Sequence, residues 1–217
     1  MARPTKSATR KPANEKLLEA AFGLIRTKGY SATTVDELCQ AAGVTKGTFF
    51  HYFESKEALA IAAADHWSAV TGGFFKTAPY HEPADPLDRF IGYIEFRKQI
   101  LHGAVPEFTC LVGTMVQEAY ESHPKLREAC ANSIFTHAAV VEEDIRAAKA
   151  KHCPDADFDP RSLAVHTQAV LQGAFILAKA TESNAVAVES LDHLIRYVRF
   201  LFSEPQPKGK TREQIAN

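Results

Sequence analysis

Apolar residues recur at helical spacing along nearly the whole chain. Leu17, Leu18, Ala21, Leu24 and Ile25 return every three or four positions and mark one face of an amphipathic helix starting near Asn14. Asn14 suits the N-cap, and Lys28-Gly29 suits the end, a cation followed by glycine. Thr34-Val35-Asp36-Glu37 has the form of a capping box, in which hydroxyl and carboxylate satisfy each other's backbone amides. It opens a short helix through Leu38 to Ala41, and Gly43 then supplies the left-handed backbone of a tight turn. Thr45 can cap a third helix, Lys46 to Phe53. Ser55 can cap a fourth, through Leu59, Ile61, Ala62, Trp67 and Val70 toward Phe74.

Pro79, Pro83 and Pro86 place a loop at 77–86. Leu87, Phe90, Ile91, Ile94 and Ile100 or Leu101 mark the next helix, which Gly103 and Pro106 break. Cys110 to Glu121 reads as helix, and Pro124 starts a long one from Lys125 to about Lys151. Asp159-Pro160 has the form of an N-cap with proline at N1. The segment from there to Thr181 is apolar on several faces, which implies burial on more than one side. A last helix, about Ala187 to Phe202, carries Leu191, Leu194, Ile195, Val198 and Leu201. There is no internal repeat and no alternating strand pattern of useful length. The expected fold class is all-α. The expected organisation is a basic flexible arm at 1–12, a three-helix head at 13–60, a larger helical domain at 61–203 and a flexible tail at 204–217.

Composition narrows the class. The chain has 217 residues, 46% hydrophobic and 24% charged, enough for a real core and unlike a disordered chain. No run approaches the roughly 18–20 apolar residues of a membrane span, and the N-terminus lacks the apolar stretch of a secretory signal. Cys39, Cys110, Cys130 and Cys153 are far apart, with no CxxC pair. That spacing fits no recognisable zinc ribbon or disulfide framework and agrees with the reducing cytoplasm. The net charge of -1 hides an asymmetry. Residues 1–57 hold nine of the 25 Lys and Arg and six of the 26 Asp and Glu, a net of +3, and the remainder carries -4. Arg3, Lys6, Arg10 and Lys11 all precede the first acid, Glu15. A basic end of this kind hints at a polyanionic partner, although a basic tail can also be merely solvated.

The two helices joined by Ala42-Gly43-Val44 have helix-turn-helix spacing, with Val35, Leu38 and Val44 able to pack beneath the turn. The second of them, Lys46-Gly47-Thr48-Phe49-Phe50-His51-Tyr52-Phe53, suits a major groove. Its first turn holds small polar residues that can approach base edges, and Gly47 lets the backbone come close. His51, Tyr52 and Lys56 are donors suited to phosphates, and Lys56 lies in the first turn of a helix, where an anion is favoured. Any tight helix pair can mimic this spacing. Phe49, Phe50 and Phe53 are also candidates for the core, and Thr34 and Thr45 can be caps alone.

The run Gly29-Tyr30-Ser31-Ala32-Thr33-Thr34-Val35-Asp36-Glu37-Leu38, then Ala42-Gly43-Val44-Thr45-Lys46-Gly47-Thr48, then Phe53-Glu54-Ser55-Lys56-Glu57-Ala58-Leu59, resembles the DNA-binding domain of TetR-type transcriptional regulators. The resemblance covers about residues 14–60. It implies a homodimer that sets one recognition helix of each subunit in an operator half-site of double-stranded DNA. By position it implies Thr34, Thr45, Lys46, Thr48 and Phe49 at or near the DNA, and His51, Tyr52 and Lys56 on its backbone. The family usually has tyrosine where this chain has Phe50, so any phosphate hydrogen bond from that side chain is lost.

The resemblance also implies a variable effector domain, with the last two helices forming the dimer interface. Residues 161–181 and 187–202 suit that role, and Gly173, Ala174 and Ala178 allow close helix approach. Ordinary core helices of a monomer are the bland alternative. Trp67, Phe74, Phe96, Cys110, Thr114, Gln117, Phe135, His137 and Phe175 are the candidate pocket residues, each also explicable as core packing. The stretch Phe108-Thr109-Cys110-Leu111-Val112-Gly113-Thr114 with Gln117-Glu118 resembles TetR-type regulators that respond to electrophiles or acrylate-like acids. Cys110 near a helix N-terminus can gain thiolate character, or it can be a small buried hydrophobe. No histidine pair has HxxxH spacing, and no glycine-rich phosphate loop, GxSxG or HExxH occurs, so neither a metal site, a cofactor nor catalysis is expected. The sequence therefore points to an operator-binding repressor released by a small molecule. A DNA-bound scaffold that recruits a protein partner is the alternative, and a filled core would favour it.

Overall fold

The computed structural model describes residues 11–203, so the arm and tail expected at the two ends lie outside the described residues apart from Lys11 and Pro12. Ten α-helices and one 3-10 turn form the described chain, with no strand among them. They are α1 (Ala13–Lys28), α2 (Val35–Ala42), α3 (Lys46–Tyr52), α4 (Lys56–Lys76), α5 (Pro86–Gln99), α6 (Val105–Phe108), α7 (Leu111–Ala119), α8 (Pro124–His152), α9 (Pro160–Thr181) and α10 (Ala185–Ser203). None is long and apolar enough to cross a membrane.

Local chemistry sets most of the boundaries. Thr34 and Glu37 form the capping box of α2: the Glu37 amide donates to Thr34 Oγ1 at 3.3 Å, and the Thr34 amide donates to Glu37 Oε2 at 2.9 Å. Gly43 closes α2 at φ 63 and ψ 41, the left-handed conformation that glycine adopts without a Cβ penalty. Thr45, Ser55 and Asp159 cap α3, α4 and α9 with their side-chain oxygens. Asn14 is not a cap: α1 begins at Ala13 behind Pro12, with no side-chain hydrogen bond there. Pro106 does not simply break the chain, because a proline fits the first turn of a helix and here sits in that of α6. Cys110 lies outside α7 as its N-cap, and α10 starts two residues before the expected Ala187.

Two cores hold these helices together. The first joins Phe90 and Ile94 of α5, Ile145 of α8, Leu171 and Phe175 of α9, and Leu191, Leu194 and Val198 of α10. The second begins with Leu17, Ile25, Leu38, Phe49 and Leu59, then continues into Leu111, Val112 and Met115 of α7 and Leu126 and Cys130 of α8. The division expected at residue 60 is therefore not a break in packing. α4 runs unbroken across it, and α7 completes the core of the head. Met115 is fully buried in that shared core, so Met115→Ala should lower the unfolding free energy by about 2–5 kcal/mol. Urea denaturation would check it; an unchanged midpoint would remove α7 from the shared core.

Candidate nucleic-acid interface and ligand cavity

The turn between α2 and α3 is tight because Val44 N donates to Cys39 O at 2.9 Å and Gly43 N to Gln40 O at 3.2 Å. It carries Thr45, Lys46 and Gly47 exposed at the start of α3, with Thr48 half-buried behind them. Thr45 Oγ1 accepts from Thr48 N at 3.1 Å and lies 2.9 Å from Thr48 Oγ1, so the two hydroxyls are held together. Lys46 Nζ is 2.7 Å from Asp36 Oδ1, with both side chains largely in solvent. Such a pair is cheap to open. A Cβ at Gly47 would meet only Thr45 Oγ1, at an ordinary 3.7 Å, so the fold itself does not demand glycine there. His51 and Tyr52 stand exposed next to one another, ring centroids 4.8 Å apart. Thr34 is exposed as well, but its hydroxyl donates to Glu37 Oε2 at 2.8 Å inside the capping box.

Two residues expected at the DNA are placed elsewhere. Phe49 is 0% exposed beneath α3, while its neighbour Phe50 is 56% exposed. Helical periodicity allows only one of two adjacent aromatic rings to face the core. Lys56 turns inward: its Nζ donates to Tyr30 O and Thr33 O, each at 3.0 Å, with Ser31 O at 3.4 Å, and lies 4.4 Å from the Tyr30 ring centroid. Burial lowers the pKa of its ammonium. Within the 29–33 turn Thr33 N also donates to Tyr30 O at 3.2 Å, and the cation at the start of α4 gathers the turn's carbonyls around its three donors.

The same turn is gripped from the other side. Glu118 of α7 accepts from Tyr30 N at 3.2 Å and from Ser31 N at 2.7 Å. Gly29 makes this possible. It has φ 92, and a Cβ there would overlap the Glu118 carboxylate. Glu118 carried no site expectation. Its signal was a lone acid after the apolar run of α7, which periodicity alone does not interpret.

A cavity of about 750 Å³ opens among α1, α4, α5, α6, α7, α8 and α9. Its volume lies in the range of small-molecule sites. Of the expected pocket residues, Trp67, Phe74, Cys110, His137 and Phe175 line it. Phe96, Thr114, Gln117 and Phe135 do not. The Phe96 ring lies among Phe74, Phe75 and Tyr80. Thr114 Oγ1 donates to Cys110 O at 2.9 Å and accepts from Lys179 Nζ at 2.8 Å. Gln117 Nε2 is spent on Gly113 O at 2.7 Å, and Phe135 is 46% exposed on the surface of α8.

The polar part of the wall lies largely outside the residues that the sequence predicts. Arg26, Arg97, Thr109, Gln168 and Gln172 all belong to it. Gln168 and Gln172 are one helical turn apart in the middle of α9, a spacing that the sequence displays. Gln168 Nε2 donates to Tyr93 Oη at 3.2 Å, and Tyr93 Oη lies 2.9 Å from His137 Nε2. Burial, and next the charge of Arg97, push the His137 pKa down to about 4, so the imidazole is neutral and its Nε2 can accept from Tyr93. Arg26 donates from Nε to Phe22 O at 2.9 Å and from Nη1 to Glu107 O at 3.0 Å, with its guanidinium over Trp67. Cys110 Sγ accepts from Gly113 N at 3.4 Å as the cap of α7. Among the described residues, no three His, Cys, Asp or Glu side chains cluster as metal ligands.

Comparison with known proteins agrees with this geometry at both ends of the chain. Residues 17–63 match the family described as bacterial regulatory proteins, tetR family, and residues 86–194 match the tetracyclin repressor-like C-terminal domain. The transcriptional regulator AcuR of Cereibacter sphaeroides is 28% identical over 167 residues, covering 77% of this chain and 76% of that protein. The transcriptional repressor NemR of Escherichia coli strain K12 is 25% identical over 203 residues, covering 88% and 94%. The crystal structure of a regulatory protein TetR from Rhodobacter sphaeroides superposes with a TM-score of 0.76 at 27% identity, over 85% of this chain and 98% of that one. The chain belongs to the TetR family of DNA-binding transcriptional regulators, which are not enzymes.

Proposed function

We propose that the protein is a cytoplasmic repressor that leaves its operator when a small molecule fills the cavity. One observation carries this reading. The cavity wall includes α4 and the start of α7, and both helices also grip the head, α4 through Lys56 and α7 through Glu118 and the shared core. An occupant that shifts either helix changes the setting of α3. A cavity of about 750 Å³ in place of a filled core favours an effector over a recruited protein partner. The relative AcuR is named a transcriptional regulator and NemR a transcriptional repressor, which supports the direction of control.

On this reading residues 13–60 read DNA and 61–203 bind effector and dimerise. Thr48 and Gly47 face base edges, Thr45 and Thr34 position the backbone, and Lys46, His51 and Tyr52 meet phosphates. Pairing of two subunits through α9 and α10 is supported by exposed apolar side chains there, Ile176 and Leu177 on the first and Tyr197 and Phe200 on the second. Cys110, half-buried on the cavity wall, is the candidate for covalent sensing of an electrophile. Mass spectrometry after mild electrophile treatment should find it modified ahead of the buried Cys39 and Cys130 and the half-buried Cys153. Equal labelling of all four removes that role.

Operator binding by fluorescence anisotropy tests the main claim. A compound that raises the melting temperature of the protein should also weaken operator binding; stabilisation with unchanged affinity would contradict release. Lys46→Ala should weaken binding to all sequences and lower the salt slope by about one, as for a single lost phosphate contact. Thr48→Ala should change the preference among operator sequences. A uniform loss across sites would make Thr48 a positioning residue.

A further inference from the structure

Among the described residues, two buried side-chain polar atoms have no hydrogen-bond partner, Arg97 Nε and Thr109 Oγ1. Both residues line the cavity. Elsewhere the described chain satisfies its buried polar side chains, as folded proteins do, so this coincidence marks a place built for a missing acceptor. The Arg97 guanidinium lies over Phe75 at 5.0 Å and over Phe175 at 5.6 Å, clamped by rings on the cavity wall. No carboxylate of the described residues forms an ion pair with it. The other guanidinium on the wall, Arg26, is already committed to backbone carbonyls. Glu107 is the one carboxylate on the wall, and it accepts from Ala104 N at 2.8 Å.

The sign of the site follows. Two guanidinium groups face one engaged carboxylate, which repels a cationic ligand. A single unpaired guanidinium amid aromatic walls matches one negative charge on an apolar body. The planar fork of arginine matches a carboxylate better than a point anion. Around it, Trp67, Phe74, Phe75 and Phe108 offer faces for a ring or chain, and about 750 Å³ leaves room for a body well beyond two or three carbons.

We infer that the effector of this cavity is an aromatic or long-chain monocarboxylate, its carboxylate on Arg97 and within reach of the Thr109 hydroxyl. The inference rests on the cavity being the effector site. It is separable from that claim, because it concerns the charge of the occupant.

The test compares benzoate and 4-phenylbutanoate with their amides and with benzylamine, by thermal shift and calorimetry on the full chain, with operator binding measured in parallel. The carboxylates should bind and the amides and amine should be weaker by about 10–100-fold, the value of one charge-assisted hydrogen bond pair. Arg97→Gln should lose carboxylate affinity by a similar factor and no longer distinguish acid from amide. Arg97 also packs between two rings, so circular dichroism must first show that the variant is folded. Arg97→Lys, which keeps the charge without the fork, should recover part of the affinity. Amides that bind as well as acids, an Arg97→Gln variant that still prefers acids, or no binding by either carboxylate at millimolar concentration would each overturn the inference. If amides bind and release the operator, the effector reading stands and the anion reading falls. If carboxylates bind at Arg97 and operator affinity is unchanged, the anion reading stands and effector release falls.

Discussion

The head cannot enclose a core by itself. Helices of 16, 8 and 7 residues present Leu17, Leu38 and Phe49 to one another, but too little surface surrounds them to exclude water. Leu111, Val112 and Met115 of α7 and Leu126 of α8 close the gap. The reading helix is thus seated on a helix that begins at the cavity wall, and burial of apolar area, the dominant favourable term in folding, enforces the seating. Glu118 and Lys56 add direction. They hold the 29–33 turn by its amides and its carbonyls respectively, so the turn follows α7 and α4 together.

The cavity follows from the same arrangement. α4 and α7 have to serve the head, α9 belongs to the other core and α8 is divided between the two, so the four do not close completely around Phe74, Cys110 and Phe175. Aromatic side chains alternate with polar ones on the walls, and burial sets the state of the most enclosed polar groups. His137 is neutral because a buried imidazolium is costly, and burial also raises the pKa of the Tyr93 hydroxyl, which stays protonated to join Gln168 to His137. Arg97 Nε is buried there without an acceptor, and that is the feature a ligand would complete.

Local features were legible in the sequence and distant ones were not. The capping box at Thr34, the left-handed Gly43 and the N-cap at Asp159 depend on residues a few positions apart, so spacing reveals them. The helix-turn-helix was legible for the same reason. Choosing between Phe49 and Phe50 needed the direction from which the core is closed. Lys56 was misplaced because its position at a helix start suggested an anion, while its real partners are carbonyls 23 to 26 residues earlier. Five pocket residues were found by being aromatic, apolar or sulfur-bearing on the middle helices. Thr114 and Gln117 were not on the wall because their side chains bond within α7 or to Lys179. Arg97 and Thr109 carry no such signal, because an unsatisfied atom is defined only once every neighbour is in place.

The central claim is that the C-terminal helices hold the head through α7. Amide hydrogen exchange at Tyr30 and Ser31, compared between the wild type and Glu118→Ala, measures that grip at its own donors. The account predicts faster exchange at both amides in the variant, together with altered operator affinity, while α9 and α10 keep their protection. Unchanged exchange at Tyr30 and Ser31 with unchanged operator affinity would contradict it.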